Sequence, residues 1–198
     1  MSMALLLSMG AFALAASISP GPVNIVALTS GVHHGFRASM RHVTGATVGF
    51  TLLLLLAGFG LAELLARWPA ATEVTRWAGV AFLLYMAWNL WLADGRVSAG
   101  GTVRAPSAVY GATLQWLNPK AWIAAIAGMG AYGTSGGAEQ IWLFAGIYFA
   151  ICYVSIAAWA YSGACLRGVL DDARRMRLFN RAMAVLLAAS AAYMVAAG

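Results

Sequence analysis

Ser19-Pro20-Gly21-Pro22-Val23-Asn24 and Leu117-Asn118-Pro119-Lys120-Ala121 are the stretches that decide how this chain folds. Each interrupts a long apolar run, and they lie about half a chain apart. A proline inside a helix removes a backbone hydrogen bond and clashes with the preceding turn. Lipid cannot replace the lost bond, so a break at bilayer depth is tolerated only against protein or a water-filled cavity. A single proline kink serves packing in many helices. Matched breaks in corresponding positions of two halves point instead to a transporter's binding site at the membrane midplane.

Composition agrees with a membrane chain. Of 198 residues, 62% are hydrophobic and 9% are charged, which excludes an ordinary soluble domain. No Asp, Glu, Lys or Arg occurs in 1–36, 42–62, 77–93, 121–138, 140–166 or 182–198. Each gap is close to or above the roughly 17–25 residues a helix needs to cross a bilayer. The net charge of +6 comes from arginines between these gaps and reads as an orientation signal, not as a nucleic-acid surface. Cys152 and Cys165 share one apolar run and read as core residues. Met1–Ser19 has the apolar length of a signal peptide but no basic n-region, so it reads as the first membrane helix.

The fold class expected is therefore all-α integral membrane, as one transmembrane domain over 1–198. Six helices are expected near 4–31, 43–66, 74–93, 107–132, 140–166 and 181–197. Helices 1 and 4 are broken at midplane prolines, and the connectors carry Arg67-Trp68-Pro69, Asp94-Gly95-Arg96, Ser98 to Pro106 and Gly133 to Gly137. The loops after helices 1, 3 and 5 hold nine arginines, and those after helices 2 and 4 hold Arg67 and Arg76. The positive-inside rule then places both termini outside the cytoplasm. Trp88, Trp91 and Trp159 fall near the inner interface, and Trp68, Trp77 and Trp142 near the outer one. With three spans in each half, repeats over about 1–95 and 105–198 acquire opposite topology.

The breaks also carry chemistry. Ser is a good N-cap and Pro is favoured at the first helical position. Ser19-Pro20 and Asn118-Pro119 thus read as two half-helix starts, each offering free N–H donors and a positive dipole end to a carboxylate. Lys120 lies near the centre of helix 4, where a cation costs roughly 3 kcal/mol on the most lenient scale and should face the bundle interior. Gln115, Asn118 and Trp122 would share one face of an unbroken helix 4, and Asn24 follows the first break by four residues from Pro20. The substrate-binding set expected is Ser19, Pro20, Gly21, Pro22, Asn24, Gln115, Asn118, Pro119, Lys120 and Trp122. Glu63, Glu73, Asp94, Glu139, Asp171 and Asp172 all fall near helix ends or in loops, which disfavours a cation exporter or a proton pump with a buried carboxylate. His33, His34 and His42 flank a basic loop without Glu or Cys partners. Gly45 and Gly49 form a GxxxG pair that reads as helix packing, and 171–181 reads as a solvated inner loop able to meet anionic lipid.

These motifs resemble the lysine exporter/homoserine–threonine efflux (LysE/RhtB) family. The likeness rests on Ser19-Pro20-Gly21-Pro22 with Asn24, Gly35-Phe36-Arg37-Ala38, Gly45 with Gly49, and Leu117-Asn118-Pro119-Lys120-Ala121, and it spans the whole chain. Val23 stands before Asn24 where Pro-Gly-Pro-Asn is the commoner form. The resemblance implies a bacterial inner-membrane exporter of amino acids or their derivatives, driven by the membrane's ion gradient. Lacking a midplane acid to pair with a side-chain cation, the chain is expected to prefer a neutral amino acid. Export of an inorganic ion by the same architecture, or a non-transport assembly subunit, stands as the alternative. An enzyme is not expected, for want of paired acids or a His/Cys/Asp set. No cofactor, metal or nucleic acid is expected; the partners are the amino acid, membrane lipid and, left open, a second copy in a homodimer.

Overall fold

The computed structural model describes residues 2–61, 69–93, 106–133, 137–170 and 172–196. Among them every regular element is helical. The elements are α1 (Met3–Ile18), α2 (Pro22–His34), α3 (Phe36–Leu56, extended by a π-type turn over Ala57–Leu61), α4 (Pro69–Leu92), α5 (Ala108–Trp116), α6 (Pro119–Tyr132), α7 (Gly137–Leu166) and α8 (Ala173–Ala196). The two expected breaks are present: α1 and α2 meet at 61°, and α5 gives way to α6 at Leu117-Asn118. Two of these helices, Phe36–Gly60 and Gly137–Leu166, are long and apolar enough to cross a bilayer, and the bent pair α1/α2 makes a third.

Helix boundaries depart from expectation where one residue does the work of a loop. Gly35 turns the chain with φ 80°, a left-handed value that favours glycine, so α3 starts at Phe36 rather than near 43. Arg37 and Arg41 therefore stand on the exposed face of its first turns, and His42 is fully buried on the opposite side. The segment 173–181 is likewise helix, not loop. The Asp172 carboxylate accepts from the Arg174 N–H at 3.0 Å. Met176 and Asn180, four apart, are buried while Arg174, Arg175, Arg177 and Arg181 face outward. The sequence positions Glu63, Arg67, Trp68, Asp94 to Ala105, Thr134 to Gly136 and Asp171 lie outside the described residues.

Packing depends on small residues. A Cβ on Gly31 would overlap the backbone of Ala160, and one on Gly163 the carbonyl of Leu28, so α2 and α7 run in backbone contact. Gly45, Gly49 and Gly111 do the same for α3 against α5, which gives the GxxxG pair its packing role. The broken pair α1/α2 thus rests on α7, and the broken pair α5/α6 rests on α3. Meanwhile α3 also packs on α7, and α4 on α8. Large apolar side chains such as Leu7, Ile123, Trp142 and Val154 point outward, whereas Asn24, His42, Thr47, Gln115, Asn118 and Asn180 are buried. That inversion suits a helical protein surrounded by lipid.

Candidate functional site: a cavity between two broken helices

The first break does not follow the expected pattern. Ser19 is the C-cap of α1 (φ −63°, ψ 141°), and the N-cap of α2 is Gly21, with Pro22 in the first turn. The second proline of the motif, not the first, opens the half-helix. Pro20 instead continues the extended link, since a residue before proline avoids the α region and both Ser19 and Gly21 precede one. The Ser19 hydroxyl donates back to the Ala16 carbonyl at 3.2 Å.

The last carbonyls of α1 have no helical partner, and three other helices supply one. From α2, the Asn24 side-chain amide donates to the carbonyls of Ser17 at 2.8 Å and Ser19 at 2.9 Å. The Trp159 indole N–H of α7 donates to the Ile18 carbonyl at 3.0 Å. Trp159 therefore lies beside the break and spends its indole N–H on the end of α1. The Lys120 ammonium, from α6, donates to the Ser19 carbonyl at 2.7 Å, the Ser19 hydroxyl at 2.7 Å and the Pro20 carbonyl at 3.2 Å. A cation thus sits on the negative end of a half-helix, the favourable side of its dipole.

Asn118-Pro119, by contrast, behaves as expected. Asn118 is the N-cap of α6, its side-chain oxygen accepting from the Lys120 backbone N–H at 3.1 Å, and Pro119 opens the helix. The Asn118 carbonyl accepts from the N–H groups of Ala121 and Trp122. The Trp122 indole N–H reaches back to the Trp116 carbonyl at 2.8 Å, and the two rings meet edge to face. Trp122 closes this break instead of lining a site.

Between the breaks lies a small cavity. Its walls include Ser17, Gly21, Asn24, Phe50, Gln115, Asn118, Lys120, Tyr148 and Cys152, and about 40 Å³ remains for the centres of water-sized molecules, enough for a few waters. Five of the ten residues expected from sequence line it: Gly21, Asn24, Gln115, Asn118 and Lys120. Ser19 and Pro20 hold the ammonium at its edge, while Pro22, Pro119 and Trp122 shape the breaks. Phe50, stacked on Tyr148 at 4.5 Å, was not anticipated, nor were Ser17 and Cys152. A polar Ser17 and Tyr148 within apolar runs are the signal that could have found them. Lys120 is the one charged residue among the described walls.

Hydrogen-bonding capacity is left over there among the described residues. The buried Ser17 hydroxyl, beside Tyr148 and Cys152, makes no well-formed hydrogen bond. The N–H groups of Val23 and Asn24 at the start of α2 are not bonded either, because the glycine cap has no side chain to accept from them.

Residues 14–198 match the family model of the LysE type translocator. The chain belongs to that family. Its members are carriers, not enzymes. Among curated proteins the chain is 37% identical over 90 residues to the cysteine/O-acetylserine efflux proteins of Escherichia coli K12, Escherichia coli O6:K15:H31 and Shigella sonnei, covering 46% of each sequence. The matched stretch thus spans about half the length of those relatives and half of this chain. No solved structure matches it.

Proposed function

We propose that this LysE-type translocator exports a small neutral amino acid or a related metabolite across the bacterial inner membrane, and that the cavity between the two breaks is its binding site. The observation that carries the reading is the cavity's composition: one ammonium, several amide and hydroxyl groups, and no carboxylate among the described walls. Such a site suits the carboxylate of an amino acid and offers no partner to a second cation on its side chain. An inorganic cation would need anionic ligands there. Cysteine and O-acetylserine, which the relatives' names give as cargo, head the list of candidates, with threonine and homoserine beside them.

The substrate carboxylate is held at the first break by the unbonded N–H groups of Val23 and Asn24, with Lys120 beside them. Six spans form two inverted repeats of three. The reciprocal packing supports this, each broken pair resting on the first unbroken helix of the other half, as does the contact of α3 with α7. Both termini face outward, from the nine-to-two arginine asymmetry.

Counterflow in proteoliposomes tests the reading. Cysteine, O-acetylserine or threonine should exchange faster than lysine. Faster lysine exchange, or no saturable exchange of any amino acid, would overturn it.

A further inference from the structure

We infer that the Ser19 carbonyl, the Ser19 hydroxyl and the Pro20 carbonyl form a seat for a primary ammonium group, which Lys120 fills in the empty carrier and the substrate's own amino group takes over on binding. The inference rests on the amino-acid reading above and adds to it where the amino end goes.

All three protons of the Lys120 ammonium are already directed at these oxygens, at 2.7, 2.7 and 3.2 Å. An ammonium has three donors and no more. Lys120 cannot bind a substrate carboxylate fully while it keeps them, so the expectation of a free positive charge awaiting an anion does not describe this state. The Ser19 carbonyl keeps the Asn24 amide when the lysine leaves, but the Ser19 hydroxyl and the Pro20 carbonyl each lose their one donor, and a lost charge-assisted bond is costly. An α-amino acid resolves both demands. Its ammonium is a free copy of the lysine's, and its carboxylate is one carbon away. When the substrate's ammonium takes the three oxygens, the Lys120 ammonium is released to the substrate's carboxylate. The number of charge-assisted hydrogen bonds is then kept on both sides of the exchange.

The geometry places the two ends close enough. Gly21 lies directly against the lysine: a Cβ there would stand 3.2 Å from Cδ and 3.3 Å from Nζ. Gly21 also caps α2, whose unbonded N–H groups begin two residues later. The ammonium seat and the anion-favouring helix start are thus neighbours on one short link. The flexible four-carbon stem of lysine allows the swing, which the planar fork of arginine would not reproduce.

Two experiments test the seat. In Lys120→Ala the missing atoms correspond to n-propylammonium. That ion should raise the thermal unfolding temperature of the purified, detergent-solubilised variant in a saturable way, while propyltrimethylammonium at equal ionic strength, which has no N–H, should not. Wild-type protein should respond to neither. Equal effects of the two ions on the variant, or none from n-propylammonium, would contradict the seat. The second experiment uses wild-type protein and is independent of whether the variant folds. For the best exchanged amino acid, the N,N,N-trimethyl analogue and the 2-hydroxy acid should each inhibit counterflow at least 10-fold more weakly. Inhibition by the trimethyl analogue equal to that of the parent would overturn the exchange while leaving amino-acid transport intact. Absence of exchange of any amino acid would instead remove the reading on which the inference rests.

Discussion

The two breaks share a proline signature and are built by opposite rules. At Asn118-Pro119 the chain repairs itself: a side-chain cap, two bonds to one carbonyl, and an indole reaching back six residues all come from within 116–122. At Ser19-Pro20-Gly21-Pro22 the local bonds are Ser19 to Ala16, Ile25 to Gly21, and Asn24 to Ser17 and Ser19. The Ile18 and Pro20 carbonyls depend on Trp159 and Lys120, from two helices remote in the chain, and Lys120 also holds Ser19. A locally closed break is a fixed landmark. One closed in part by distant partners, one of them a flexible cation, is able to change partners when a substrate arrives. On the proposed reading, the second break serves structure and the first serves recognition.

The comparison is most severely strained by Asn24→Leu. It removes the bonds to the Ser17 and Ser19 carbonyls while keeping the branching of the side chain in a somewhat bulkier form, and it should lower unfolding stability by about 2–3 kcal/mol. Chemical denaturation in detergent micelles measures it, and a loss under about 0.5 kcal/mol would show that α1's end is satisfied without Asn24. Next comes Asn118→Ala, the loss of a helix N-cap, expected to cost about 1 kcal/mol. Although Asn118 lines the cavity, its side-chain oxygen is spent on the Lys120 backbone N–H, so substrate affinity should stay within about twofold of wild type once the protein is folded. A large affinity loss with unchanged stability would reverse the roles given to the two breaks. The smallest effect is expected from Trp122→Phe, which keeps the ring contact with Trp116 and loses one hydrogen bond, about 0.5–1 kcal/mol, with transport unaltered.

Much of this was legible in the sequence because hydrophobic runs and prolines speak for themselves. The positions of both breaks, the inward-facing Lys120 and the packing role of Gly45 and Gly49 follow from residue type and spacing. Other features depend on contacts that no local pattern encodes. Ser19 looks like an N-cap, yet Gly21-Pro22 opens the helix, because two prolines in the motif left both assignments open and the tertiary bonds to Ser19 chose one. The start of α3 was hidden by a single left-handed glycine that turns the chain without a loop. Arginines at 174–181 resemble a loop by charge, although Met176 and Asn180 mark a buried helical stripe. For Trp159 the sequence suggested an interfacial belt and was silent on its partner: an indole N–H in an apolar helix needs an acceptor, and the end of α1 provides it. The partners of Lys120 were the hardest to foresee, since only the assembled fold brings α1's carbonyls to it from 101 residues away.

The central claim is that the first break, through Lys120, binds the substrate. The most direct measurement is the dissociation constant of the best exchanged amino acid for purified wild-type protein and for Lys120→Met, which keeps a stem of similar length without the charge. Losing a charge-assisted hydrogen bond of about 1.5–3 kcal/mol should weaken binding roughly 10- to 150-fold, with Lys120→Arg recovering little of it. A Lys120→Met protein that folds and binds with unchanged affinity would contradict the account and reduce the lysine to a brace between α6 and α1.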